Sequence, residues 1–563
     1  MPSDRYIFGC YTKTNDGDAV IAKVHRYHED GTITKHLKAI PNPKRTFWTT
    51  KLPLRTHEYK KEYEALSSLD MHVTTNFDLG RSVHRALTGK QPFGQRYINT
   101  RELANDPYVY GLDISIEALL KHEYDKNFVV PNGGTPERVT TGFFDIETDM
   151  VTGEILCVTT THEHMVYTAI VDHFMYRRNA QGNKVRMTIE HLIQLFHELV
   201  DPITTERSIS DKNPTKFGKF IPHFHVAQTP ALAIKWIMDK IHENKTDFVG
   251  VWNINFDLPK VVHALEKEGM DPKDVFSPPG LPEKYRYFKF KEDTDPKIEH
   301  IADKWHWLYA TCTAQFVDSM CVYSQIRKVK GKENSYSLEA ILNKEAGFGK
   351  LHHTDDGIPE DASGADWHRY MQRNHPDIYI IYNAFDCISL QCIEMKNGDV
   401  HQMTTLIGAT PLASYPRQAR RVCDQMHFYC LENGYAIGSA GSRGMMTIFD
   451  LLLTKEGGAV LPADRTIDCG MKILEDFPIW ETMVHAFVMD ADLKSSYPTL
   501  LAAMNISKTT KISTILSIDG NSLEHARRYM SLIPALKENA VQICHDYYGL
   551  PGYEEMEDRF LSP

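Results

Sequence analysis

The sequence predicts an α/β multidomain protein, and three observations carry that expectation. Its 563 residues are enough for about three or four domains. Hydrophobic residues make up 42% and charged residues 24%, the balance of a globular chain. From about residue 136 to 393 the pattern runs strand, hairpin, helix, strand, helix, which is how α/β layers are written.

Taken in order, residues 1 to about 135 alternate short apolar runs with polar turns and end in the linker-like stretch Val129–Gly134. The first strand of the next region is the apolar run Phe143-Phe144, which breaks into Asp145-Ile146-Glu147. On a strand, carboxylates at i and i+2 share a face. Two acids side by side repel, and burying them is costly unless a cation sits between them. A hard divalent cation with oxygen ligands is one resolution, and a solvated strand end is the plain alternative. Ile155–Val158 and Met165–Val171 could pair behind this strand, and Thr229-Pro230 opens a helix carrying Ile234, Trp236, Ile237 and Ile241.

Three further phrases stand out. Phe248–Val251 reads as a short strand running into Trp252-Asn253-Ile254-Asn255-Phe256-Asp257, and a helical pattern with Pro259 in its first turn follows. Asp257 therefore falls at a strand-to-helix junction, where an ordinary N-cap is the plain alternative. Tyr382 and Asp386 are four apart in a helical stretch starting near Pro376, so they share a helix face. The apolar run Ala486–Met489 precedes Asp492-Leu493-Lys494-Ser495-Ser496-Tyr497-Pro498, again an acid at a strand end before a turn.

Several classes are disfavoured. Ten cysteines without any Cys-x-x-Cys suggest neither a zinc ribbon nor a disulfide framework. No apolar stretch approaches ~18 residues, and the N-terminus has no signal-peptide pattern, so no membrane partner and a cytoplasmic location are expected. A net charge of −11 does not exclude nucleic acid, because affinity follows where basic groups lie. Arg327, Lys328, Lys330 and Lys332 form one basic cluster and Arg417, Arg420 and Arg421 another, each readable as a solvated face. His162 with His164, His223 with His225, and His352 with His353 lack further ligands at zinc spacing.

The four acidic phrases, in this order, resemble a family B DNA polymerase of the bacteriophage T-even type. The first three are similar to its proofreading exonuclease motifs and the fourth to its first palm motif. Ser335-Tyr336-Ser337-Leu338-Glu339 and Asn505-Ile506-Ser507 match supporting positions. The resemblance implies a mostly β N-terminal domain (1–135), a ribonuclease-H-like 3′→5′ exonuclease domain (136–393), and a helical segment returning to the N-terminal domain (394–465). It further implies the first part of an α+β palm (466–510) and the start of helical fingers (511–563).

It also implies roles. Asp145, Glu147, Asp257 and Asp386 would hold two Mg²⁺ about 4 Å apart, with Mn²⁺ as a substitute, and Tyr382 would orient the attacking water or the scissile phosphate. Asn253 and Phe256 would contact DNA, with Phe256 stacking on or wedging terminal bases or serving the core. In the palm, Asp492 and the Leu493 carbonyl would bind metal, Lys494, Ser495 and Ser496 would line the nucleotide site, and Tyr497 would exclude a 2′-hydroxyl. Asp318-Ser319-Met320-Cys321 departs from the family's Asp-Leu-Tyr-Lys, so a helper lysine is expected to be missing.

The fingers motif and the second palm hairpin do not occur before Pro563. The expected activity is therefore that of the N-terminal subunit of a split DNA-directed DNA polymerase, of viral type and acting in the host cytoplasm. Its expected partners are primer–template, a single-stranded 3′ end, dNTPs, a second polypeptide with the remaining fingers, palm and thumb, and a sliding clamp as a further candidate. The alternatives are a stand-alone 3′→5′ exonuclease with a vestigial polymerase part, or a non-catalytic DNA-binding subunit.

Overall fold

The computed structural model describes residues 3–439 apart from 15–16, 58–60, 62, 92–97, 132, 179–182, 207–216, 329–330, 354–362 and 409. The expected palm and fingers, with Asp492, Leu493, Lys494, Ser495, Ser496 and Tyr497, lie outside the described residues. The architecture is mixed α/β, with a mostly β N-terminal region and helices later.

Near the N-terminus, strands Ser3–Thr14, Gly17–Tyr27 and Ile33–Pro41 form an antiparallel meander. The middle strand is buried on both faces. Val20, Ala22 and Val24 pack against Ile116 and Leu120 of helix Ile116–Asn127. Ala19 and Ile21, on the opposite face, pack on Leu281, and Lys23 and His25 on that face reach Asp247. A second three-stranded sheet pairs Lys44–Thr50 with Leu69–Thr75 and Val109–Tyr110. Late in the described chain, Tyr435–Ile437 pairs antiparallel with Tyr63–Ala65, and the Leu112 amide donates to Ser439 Oγ at 2.8 Å.

The central sheet contains β1 (Thr141–Thr148), β2 (Ile155–His162), β3 (Met165–Val171), β4 (Ile221–Ala227), β5 (Phe248–Val251) and β6 (Gln315–Asp318) in the order β4-β3-β2-β1-β5-β6. β2 is antiparallel to β1 and β3, and every other neighbouring pair is parallel, so only β2 runs against the rest. Among the described helices that cover or edge the sheet are α1 (Ile189–Asp201), α2 (Pro230–Asn244), α3 (Ile254–Lys267), α4 (Ser319–Arg327), α5 (Leu338–Glu345), α6 (Gly364–Asn374) and α7 (Pro376–Asn397).

Alternation along β1 decides the layers. Phe143 joins the core formed with α1, α5 and α7, whereas Phe144 and Ile146 join the core formed with α2 and α3. Asp145 and Glu147 have the parity of Phe143 and so project toward α7. α7 opens on Pro376 and stops at Gly398, whose φ of 64° takes the left-handed C-terminal position. It is buried on almost every face. Ile381, Phe385 and Ile388 are wholly enclosed, each stabilising the fold by about 1.5–3 kcal/mol. Such a helix cannot shift without opening the core, which makes it a rigid support for polar side chains. Among the described residues no helix is long and apolar enough to cross a membrane.

Candidate metal centre

The site forms where the end of β1 meets α7. Tyr379, Tyr382, Asn383 and Asp386 repeat at three and four residues, so they lie along one stripe of the helix. Asn383 Nδ2 donates to Asp145 Oδ2 at 2.7 Å, and Asn383 Oδ1 accepts from Thr159 Oγ1 at 2.6 Å. The Tyr379 hydroxyl donates to Glu147 Oε2 at 2.5 Å and accepts from Gln372 Nε2 at 3.2 Å. Each strand carboxylate is thus aimed by a buried α7 side chain that is itself held.

Carboxylate oxygens of Asp145, Glu147 and Asp386 all lie within 4.8 Å of one another. Asp386 is only 4% exposed. Its Oδ2 accepts from Lys350 Nζ at 2.6 Å, while its buried Oδ1 has no partner among the described residues. Asp257 is buried in the first turn of α3 and stands outside that tight group. Its charge still reaches the centre, being the strongest influence on Asp145 after burial itself.

The helix bearing Asp257 begins earlier than its periodicity predicts. α3 starts at Ile254, so Pro259 sits inside the helix rather than in its first turn, and Asn253 is the N-cap. Buried Asp318 explains the early start. Its Oδ2 accepts from the Ile254 amide and its Oδ1 from the Cys321 amide, both at 3.0 Å, so one side chain caps α3 and α4 together. Asn253 turns the chain with φ 66°, a left-handed conformation that asparagine tolerates. The strand it leaves passes close to β1. A Cβ at Gly250 would lie 2.6 Å from the Phe143 ring, which only glycine avoids.

The electrostatics are those of an acid cluster short of cations. Burial, then the charges of Asp257, Asp386 and Glu147, hold the Asp145 carboxyl well above its ordinary range. Burial pushes Glu147 up to about 7 against the Tyr379 hydrogen bond. Burial likewise raises Asp257 and Asp386, the latter against Lys350. Converging hard oxygen donors, with one buried oxygen lacking a partner, fit a divalent cation of the Mg²⁺ type.

The lysine expected to be missing from the Asp318–Cys321 turn is absent there, where Cys321 stands, but Lys350 reaches the cluster instead. Its Nζ bonds the Tyr382 hydroxyl at 2.8 Å as well as Asp386. It arrives from the segment after α5, not from the Asp318–Cys321 turn. The Lys350 amide is anchored on Glu339 Oε2 at 2.6 Å, and a Cβ at neighbouring Gly349 would lie 2.2 Å from Glu339 Oε1. The phrase Gly347-Phe348-Gly349-Lys350, between Leu338–Glu345 and the Tyr382–Asp386 helix, was the available signal. Tyr379 and Asn383 were legible as the helical stripe shared with Asp386. The basic clusters are not free faces throughout, since Arg327 pairs with Asp399 at 2.9 Å and Arg420 with Asp424 at 2.9 Å.

At the open side of α3, Phe256 is 57% exposed. Lys260 Nζ lies over its ring, 3.4 Å from the centroid, and 3.4 Å from Thr148 Oγ1. Asn253 is half-buried. Compared with known proteins, the chain matches no family model and no curated protein.

Proposed function

We propose that the region around the central sheet is a two-metal 3′→5′ DNA exonuclease of ribonuclease-H-like fold, serving as the proofreading part of a family B DNA polymerase. The observation that carries this reading is the convergence of Asp145, Glu147 and Asp386 within 4.8 Å, with Asp257 close enough to act on them. The sheet order supports it too, since β3-β2-β1-β5-β6 with only β2 reversed is the ribonuclease-H-like arrangement, to which β4 adds an edge strand.

In this reading Asp145, Glu147, Asp257 and Asp386 would hold two Mg²⁺. When bound, the ions supply an activated water and neutralise charge at the scissile phosphate. The chain's own residues do the rest. Asn383 and Tyr379 fix the carboxylates of Asp145 and Glu147 before substrate arrives, so little reorganisation remains. Lys350 opposes the rise that burial imposes on Asp386 and donates to the Tyr382 oxygen, leaving the tyrosine's own proton for the attacking water or a phosphate oxygen. Hydrolysis breaks the bond between phosphorus and the 3′-oxygen. Water's oxygen joins phosphorus, a 5′-nucleotide leaves, and the shortened strand's 3′-oxygen takes a proton.

The intact phrase Asp492–Pro498 favours the polymerase reading over a stand-alone nuclease. The test is the purified chain on a 5′-labelled primer–template with Mg²⁺, with and without dNTPs, alone and with the candidate second half. Digestion abolished by Asp145→Ala supports the nuclease, and extension only with the partner supports the split enzyme. Absence of digestion, or digestion indifferent to Asp145→Ala, sinks the catalytic reading.

A further inference from the structure

Two lysines stand at the acid cluster, and they are not equivalent. Lys350 sits at the Asp386 end and is engaged, with Nζ 2.6 Å from Asp386 and 2.8 Å from the Tyr382 hydroxyl. Lys260 sits at the other end. It is the strongest compensating charge acting on Asp257, while it does not figure among the main influences on Asp386. Among the described residues no carboxylate oxygen comes within ion-pair distance of Lys260 Nζ. Its only hydrogen bond among them is the long one to Thr148 Oγ1, at 3.4 Å. An ammonium carries three donors, so most of its capacity is left over.

The side chain is nevertheless held in place. The ammonium rests on the Phe256 ring, one helical turn back, at 3.4 Å from the centroid. Thr148, the last residue of β1, fixes it from the other side. The charges of Asp257, Glu147 and Asp145 offset part of the cost of holding a partly desolvated cation there, yet none of these carboxylates takes up its remaining donors. With one ring face covered by Lys260, the exposure of Phe256 is left to its other face and edge.

We propose that Lys260 is a strand-gripping residue: it binds a non-scissile backbone phosphate of the single-stranded 3′ end while Phe256, stacked beneath it, takes a base. This rests on the nuclease reading above and adds to it a division of labour, with Lys350 serving the reacting centre and Lys260 serving the strand.

The test is fluorescence anisotropy of a 5′-fluorescein single-stranded oligothymidylate with the full chain, Ca²⁺ replacing Mg²⁺ to slow hydrolysis, over a range of KCl. Digestion of the same oligonucleotide in Mg²⁺ is followed in parallel. Lys260→Ala should weaken binding about tenfold and lower the slope of log Kd against log salt by about 0.7. It should raise the half-saturating DNA concentration for digestion and leave the maximal rate unchanged. Lys260→Arg should keep the slope, and Phe256→Ala should weaken binding with the slope unaltered. If wild type digests and Lys260→Ala has the wild-type slope and Kd, the proposal is overturned and the nuclease stands. If Lys260→Ala lowers the maximal rate alone, Lys260 serves the reacting centre and the proposal also fails. If wild type neither binds nor digests, both readings fall together.

Discussion

The parallel strands β1 and β5 carry buried acids at both ends, and the two ends are opposites. At the start of β5, Asp247 is fully enclosed. It meets His25 at 2.7 Å, Lys35 at 2.9 Å and Lys23 at 3.5 Å, and accepts from the Thr140 amide and hydroxyl at 2.8 and 2.9 Å. Burial alone would raise its pKa, but the His25 hydrogen bond and the charges of His25, Lys23 and Lys35 outweigh it and hold the carboxyl far below its usual range. At the far end, four carboxylates share two lysines and all are pushed up. One end is satisfied by the protein itself, seating the N-terminal meander on the sheet. The other keeps more carboxylates than nearby cations, an arrangement that could hold a metal ion. The same residue type is structural or functional according to whether its partners come with the fold.

Breaking the comparison at the unsatisfied end should cost the most. Asp145→Ala is expected to lower the proposed exonuclease activity by about 10³-fold, while the metal-free protein melts no lower than wild type because a buried carboxyl in an acid cluster short of cations has gone. A large loss of melting temperature without metal would mean the cluster is structural. At the satisfied end the outcome should reverse. Asp247→Ala strands Lys23 and His25 in the interior and should cost about 3–5 kcal/mol in denaturant unfolding. A cost below about 1 kcal/mol would show that the network contributes little to seating the meander.

Two smaller effects sharpen the contrast. Asn383→Ala removes the hydrogen bond that aims Asp145, and should raise the Mg²⁺ needed for half-maximal digestion about tenfold. An unchanged requirement would show Asp145 is held without it. The last concerns pH. Glu147 has its folded pKa raised to about 7, so between its ordinary value and 7 the native state binds the extra proton, and metal-free stability falls as pH rises through that window. Mg²⁺ replaces the proton, so it should raise the melting temperature by a few degrees at pH 8 and hardly at all at pH 5. The Asp247 end should respond with the opposite sign, losing stability only as pH drops below the ordinary aspartate range. Equal Mg²⁺ effects at both pH values would contradict the raised Glu147 pKa.

Much of the fold could be read in advance because it follows local rules. The alternation about Phe143, Asp145 and Glu147, the Thr229-Pro230 helix start and the Pro376 helix are written in a few consecutive residues each. The start of α3 could not be read this way, because the group that caps it, Asp318, is far along the chain. The same holds for Lys350, which reaches Asp386 and Tyr382 from a separate segment, and for Lys260, whose neighbour Thr148 ends a different element.

What the sequence determined by itself was the set of acids and the elements that bear them, since spacing on a strand or helix assigns each side chain a face. Only the tertiary structure decided which acids meet and which cations serve them. Strand order brings β1 beside β5 and lays α7 across β1, and charge interactions depend on distances through space that neighbouring positions along the chain do not set.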